Sequence, residues 1–206
     1  MSDPYRRCGL SENPFAHDAG GARADASWVD RGTPPAAAPG GRRLVQVVGV
    51  KGAGKTSTLR RWHRLAPGPW RYVPPGARRF RPLPVAALVY WDEADRAPRA
   101  FRWSAWRAAV RRGATVVAGT HVDLELEARA AGLEVTSLTL SAISAEELIG
   151  WAGLRFAAVG AGPDWTLPPP VAADVVARAG ASWRVAGDLL HAWVAREVAA
   201  RAVPNR

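Results

Sequence analysis

From residue 44 onward, apolar segments of two kinds alternate along the chain. Short, continuously apolar runs read as strands: Leu44-Val45-Gln46-Val47-Val48, Val85-Ala86-Ala87-Leu88-Val89-Tyr90-Trp91 and Ala114-Thr115-Val116-Val117-Ala118-Gly119. A run that is apolar at successive positions, not only at alternate ones, belongs to a parallel strand covered on both faces. Between these runs the spacing predicts helices over 56–65, about 98–112 and about 123–131, with a short strand near Trp70-Arg71-Tyr72-Val73 and a last strand over 133–140. Strands alternating with helices predict an α/β fold of three layers around a parallel sheet. From 144 the pattern is helical only. Ser144-Ala145-Glu146-Glu147 is a capping box, and helices fit about 169–179, opened by Pro168-Pro169-Pro170, and 182–200. These make a small C-terminal helical lid.

Upstream of the first strand the pattern breaks. Gly9-Leu10-Ser11-Glu12-Asn13-Pro14-Phe15 places apolar anchors around a proline turn, and residues 16–42 are rich in Gly, Ala and Pro. Such a stretch buries too little apolar area to offset its ordering entropy, so it reads as linker. The divisions expected are an anchor motif and flexible linker over 1–42, a phosphate-binding core over 43–142 and the lid over 143–206. Cys8 is the sole cysteine, so neither an internal disulfide nor a zinc site is expected. With no basic-then-apolar leader and no uncharged apolar run near 18 residues, a cytosolic protein without a membrane span is expected.

Charge changes this picture in one quarter of the chain. The net charge is +10, with 26 arginines and 2 lysines, a bias that a GC-rich coding sequence would itself produce. Residues 60–112 carry 13 basic and 3 acidic residues. A local positive field of this kind attracts phosphate backbones, DNA or RNA, or an acidic partner protein; a solvated arginine face is the alternative.

Both lysines, Lys51 and Lys55, fall within Gly49-Val50-Lys51-Gly52-Ala53-Gly54-Lys55-Thr56, a complete phosphate-binding loop between a strand and a helix. Backbone N–H groups of residues 49–54, continuing through Lys55, Thr56 and Ser57 into the helix, would cradle a polyphosphate. Lys55 would contact the β- and γ-phosphates and Thr56 would ligate Mg²⁺, while Lys51 only adds charge, so ATP and Mg²⁺ are the expected cofactors. The apolar strand ending at Trp91 delivers Asp92-Glu93-Ala94-Asp95. Asp92 would join the Mg²⁺ shell and Glu93 would deprotonate the attacking water, a pair that specifies hydrolysis. The letters Asp-Glu-Ala-Asp also match motif II of the helicases of that name, but those build their site between two such domains. At roughly 150 residues per domain this chain has no room for the second.

The next strand ends in Gly119-Thr120-His121-Val122-Asp123, which makes Thr120 or His121 a γ-phosphate sensor; a helix cap by Thr120 or Asp123 is the alternative. Thr120 to Asp123 and Ser141-Ala142-Ile143 also echo a guanine-specific switch, without its two lysines and with no Asp-x-x-Gly after strand 85–91. Arg129 could meet a neighbouring subunit's γ-phosphate, and Arg184 could fold back on the nucleotide. In helix 98–112, Trp103, Trp106 and Val110 share one face, which suits a core or an interface.

The order of these motifs resembles the AAA+ ATPases of the general secretion pathway A and transposition ATP-binding type. The resemblance rests on Gly9-Leu10-x-x-Asn13-Pro14-Phe15, the phosphate loop, Asp92-Glu93-Ala94, Gly119 to Leu124, Leu138-x-Leu140-Ser141-x-x-Ser144-x-Glu146-Glu147-Leu148 and Arg184-Val185-x-x-x-Leu189-Leu190. It implies that Lys55 and Thr56 are Walker A, Asp92 and Glu93 Walker B, Thr120 sensor 1 and Arg184 sensor 2. It also implies homo-oligomers that act on a partner. The chain departs from the family in having 35 residues between Thr56 and Asp92, too few for the usual helix and part of a strand there, in a Pro/Gly linker where a helix usually precedes the first strand, and in Thr120 where a glutamine is usual. Three functions remain: an ATPase of a nucleic-acid, transposition or secretion apparatus, a slowly hydrolysing nucleotide-bound adaptor, and a GTPase.

Overall fold

Every strand pairing in the sheet is parallel, as the continuously apolar runs predict. In this computed structural model, which describes residues 3–16, 29 and 40–202, the strands are β1 (Arg43–Val48), β2 (Trp70–Tyr72), β3 (Leu88–Asp92), β4 (Thr115–Thr120) and β5 (Glu134–Thr139). Their order in the sheet is β2-β3-β4-β1-β5. The chain separates into two units, Arg31–Ser141, and Met1–Asp30 together with Ala142–Arg206.

Side chains alternate across the sheet, so each strand feeds two cores. On one face Leu44, Val89, Trp91, Val116 and Ala118 pack with helices α3 (Arg99–Arg112) and α4 (Glu125–Ala131) through Trp106, Ala109, Ala128 and Ala131. On the other, Val45, Val47, Leu88, Tyr90 and Val117 pack with Leu59 and Trp62 of α2 (Lys55–Leu65). The helical stripe of α3 splits accordingly: Trp106 is fully buried with its ring 4.7 Å from Trp91, while Trp103 is exposed. The strand expected over 85–91 pairs only from Leu88. The preceding Pro82 and Pro84 carry no N–H, and Pro84 O instead accepts from Trp91 Nε1 at 2.9 Å. Between α2 and β3 lie only β2 and a 3₁₀ turn, Gly76–Phe80, in keeping with the short spacing in the sequence.

The second unit holds α1 (Pro4–Arg7), α5 (Ala145–Ala158), α6 (Pro169–Ala179) and α7 (Trp183–Ala202). The Ser144 capping box forms, with Glu147 N donating to Ser144 Oγ at 3.0 Å and Ser144 N to Glu147 Oε2 at 2.7 Å. The opening motif differs from its expected place. The sequence sets it apart in a segment 1–42, whereas Leu10 and Phe15 are buried in one core with Leu148, Phe156, Leu190 and Val194. Asn13 fixes this docking, donating through Nδ2 to His191 O (3.0 Å) and Tyr5 Oη (3.3 Å) and accepting from Phe15 N (3.0 Å). The linker expected over 16–42 lies almost wholly outside the described residues. Among the described residues no helix is long and apolar enough to cross a membrane.

Candidate functional site

Parallel strands carry their loops to the same edge, so the ends of β1, β3 and β4 deliver three sequence motifs to one place. Gly49 N donates to Thr120 O at 3.2 Å and ties the phosphate loop to the end of β4. Gly54, at φ 102°, occupies the left-handed conformation that opens α2, where any other residue would be strained. Lys55 is almost fully buried and donates through Nζ to Gly49 O (2.8 Å) and Val50 O (3.0 Å) of its own loop. Burial pulls its pKa down, and the nearby Glu93, Asp95 and Asp92 carboxylates oppose that shift.

Thr56 Oγ1 donates to Asp92 at 2.9 Å from Oδ2 and 3.1 Å from Oδ1. Asp92 is 2% exposed, and burial pushes its pKa up against the lowering effect of the Thr56 hydroxyl. Gly119 gives this carboxylate its room, since a Cβ there would lie 3.1 Å from Asp92 Oδ1. A hydroxyl and a buried carboxylate are hard oxygen donors of the kind Mg²⁺ takes. Together with a glycine loop and a lysine whose ammonium rests on loop carbonyls, they fit a Mg²⁺–nucleoside triphosphate.

Glu93 follows with φ 61° and ψ 42°, a left-handed conformation uncommon for a residue other than glycine and of a kind that clusters at functional sites. It turns the chain out of β3 into the 3₁₀ turn Ala94–Arg96 and leaves the carboxylate largely buried. Its Oε2 lies 3.1 Å from Arg96 Nη2 and 3.2 Å from His121 Nδ1, yet has no hydrogen-bond partner of acceptable geometry. His121 Nδ1 also lies 3.3 Å from Asp95 Oδ2, and His121 N donates to Asp95 Oδ1 at 3.2 Å.

Of the two candidate sensors, Thr120 turns its hydroxyl on its own loop, donating to Val122 O at 2.7 Å and accepting from Val122 N at 3.3 Å. His121 is the one that meets the carboxylates. Asp123 does not cap α4, whose N-cap is Leu124; it lies one residue earlier, accepting Glu125 N at 2.7 Å and Gln46 Nε2 at 2.6 Å, and the Gln46 bond, then the backbone bond, hold its pKa down. Arg129 is exposed and paired with Glu125 at 2.7 Å, and Arg184 is exposed at the start of α7 in the helical unit. Lys51 and Ser57 are exposed, as are Arg78, Arg79 and Arg81.

Two anchors of the site escape motif reading. Gln46 is fully buried in β1; beyond its bond to Asp123 it donates to Ser137 Oγ (2.8 Å) and accepts Leu124 N (2.9 Å), so it fixes the loop after β4. As the one polar residue in Leu44–Val48, it carried a signal. Arg102 makes a two-pronged ion pair with Glu127 (2.8 and 3.1 Å) and donates to Asp95 O and Ala97 O, holding the segment after Glu93. Only the fold reveals that partnership, because 25 residues separate the two.

No protein-family model matches the chain, and no curated protein matches it. Solved structures do. Thermotoga maritima RuvB, described as a Holliday junction branch migration motor, superposes with a TM-score of 0.56 at 15% identity, covering 78% of this chain and 57% of that one. A point variant of the same RuvB gives 0.55 at 17% identity, with the same coverage. The chain therefore spans under two thirds of the RuvB length. The likeness establishes the fold: an α/β domain with a parallel sheet like that of RuvB, followed by a helical segment.

Proposed function

We propose that this chain binds ATP with Mg²⁺ in the loop 49–57 and hydrolyses it, and that the cycle switches the conformation or assembly of a macromolecular partner. One observation carries the proposal: the phosphate-loop hydroxyl of Thr56 rests on the buried Asp92 carboxylate at 2.9 Å, directly before Glu93. When bound, Mg²⁺ would be held by Thr56 and Asp92 and would draw charge from the phosphates. Loop N–H groups and Lys55 bind the phosphate oxygens, and Lys55 exchanges its loop carbonyls for them. Glu93 orients the attacking water and takes its proton. Arg96 Nη2 lies 3.1 Å from Glu93 Oε2, so this ion pair competes with the water for the proposed base.

Asp123, the residue a guanine-specific site would need, is committed to Gln46 and to the backbone N–H of Glu125, which favours ATP over GTP. For the partner, the exposed arginines of 60–112 supply a polyanion-binding face, and RuvB is described as a Holliday junction motor, so nucleic acid is the first partner to test. Assembly into homo-oligomers through Arg129 belongs to the same proposal. Labelled ATP and GTP exchange measures the nucleotide preference. Glu93→Gln should trap ATP, whereas Lys55→Ala should fail to bind it; hydrolysis at the parent rate by the Glu93→Gln protein removes the assignment of Glu93.

A further inference from the structure

Beside the phosphate loop, three metal-ligating side chains converge on one point. Glu93 and Asp95 follow β3, His121 follows β4, and one ligand atom from each lies within 4.8 Å of the other two. All three side chains are mostly buried. We propose that Glu93, Asp95 and His121 form an inhibitory site for a borderline transition-metal dication such as Zn²⁺, which takes the Glu93 carboxylate as a ligand and removes it from proton transfer.

The geometry supports this in three ways. His121 Nδ1 stands 3.2 Å from Glu93 Oε2 and 3.3 Å from Asp95 Oδ2. Ligand atoms on a tetrahedral Zn²⁺ with bonds of about 2.0–2.1 Å are separated by about 3.3 Å, the same spacing. Next, a single proton on Nδ1 points at one acceptor and cannot serve two carboxylates. Glu93 Oε2 is the atom left over, fully buried without a hydrogen bond, and a dication satisfies all three groups together. Finally, Asp95 is oriented for the task, because its Oδ1 accepts His121 N and turns Oδ2 toward the ring, the kind of outer bond that fixes a metal ligand.

The imidazole makes the site selective. Mg²⁺ takes oxygen ligands in an octahedron and fits Thr56 and Asp92, whereas Zn²⁺ accepts mixed nitrogen and oxygen donors and leaves a fourth position to water. Arg96 Nη2, 3.1 Å from Glu93 Oε2, is the group the dication displaces; Arg96 keeps its bond to Tyr72 Oη through Nη1 at 2.9 Å. The metal site stands on this cluster alone, while the inhibition rests on Glu93 being the hydrolytic base.

The test titrates Zn²⁺, and Co²⁺ as its coloured substitute, into the full nucleotide-free chain. One ion per chain is expected, with the Co²⁺ absorption of a four-coordinate nitrogen and oxygen site. Affinity should fall at least tenfold in His121→Asn and in Asp95→Asn, and stay at the parent value in Thr56→Ala and His191→Gln. Equal affinity in both ligand variants, with circular dichroism showing them folded, overturns the site. With Mg²⁺ and ATP in excess, hydrolysis should fall along the same Zn²⁺ curve, recover with a zinc-selective chelator and resist Zn²⁺ in Asp95→Asn. Zn²⁺ bound at the cluster with hydrolysis unchanged overturns the inhibition and keeps the site. Zn²⁺ bound by a parent chain that shows no hydrolysis at all removes the ATPase proposal instead.

Discussion

Asp92, the proposed Mg²⁺ ligand, sets its proposed role against stability. Burial raises its pKa above the ordinary 3.8, so the ionised carboxylate is less favourable in the folded chain than in the unfolded one. Well below 3.8 both states are protonated and the penalty is absent; it grows as pH rises through the unfolded value and is complete above the folded one. Asp92→Asn should therefore raise Tm of the nucleotide-free protein at pH 7, by about 2–4 °C for each kcal/mol relieved, while abolishing Mg²⁺-dependent hydrolysis. That gain should vanish as melts are taken below pH 3.8. A Tm at pH 7 equal to the parent's would show the Thr56 hydroxyl fully offsetting burial. Gln46 poses the opposite case, since its polar atoms hold the fold together. Gln46→Leu leaves Leu124 N without its acceptor and Asp123 without its strongest partner, at a cost of about 1–3 kcal/mol in thermal or urea melts.

At the scale of elements, strands and helices follow from sequence where one rule decides them. β1, β3 and β4 are apolar on both faces, and α5 begins with a complete capping box, so local pattern and tertiary environment agree. The phosphate loop and Asp92 are legible for the same reason, since each motif is local in the chain. What escapes the sequence is partnership across distance. His121 beside Glu93 depends on β3 and β4 being neighbours, and Arg102 on Glu127 depends on α3 meeting α4. The opening motif is another such case: its composition suggests a separate anchor, but Asn13 reaches a carbonyl of α7 178 residues away. Asn13→Ala should destabilise the helical unit by about 1–3 kcal/mol, because the 5%-exposed amide serves His191 O and Phe15 N at once. Protease sensitivity of α5 to α7 should rise while nucleotide binding at the phosphate loop is kept. Cleavage at the parent rate would show that the amide contributes nothing net.

For the whole molecule, charge and assembly are the properties that one chain carries to its partners. The 13 basic residues of 60–112 predict DNA or RNA binding that weakens steeply with salt. Replacing Arg78, Arg79 and Arg81 by Ala should flatten the salt slope by about one unit for each phosphate no longer neutralised, whereas no binding at low salt, with or without an ATP analogue, sinks a nucleic-acid role. Assembly turns on Arg129. Its pair with Glu125 is half exposed and within one helix, the type worth at most about 1 kcal/mol, so a phosphate of higher charge can win the guanidinium from it. If that phosphate belongs to ATP on a neighbouring copy, nucleotide binding adds an interaction that exists only in the oligomer, and binding and self-association are thermodynamically linked. Hydrolysis per subunit should then rise with protein concentration, and sizing should show a larger species in ATP analogue. Arg129→Ala should keep the parent's ATP affinity at high dilution and lose the concentration dependence. Glu125→Gln, which frees Arg129 from its helix partner, should shift the onset of that rise to lower concentration. A specific activity that stays flat over a hundredfold dilution, with a monomeric mass in ATP analogue, leaves Arg129 an ordinary surface arginine and the chain a monomeric switch.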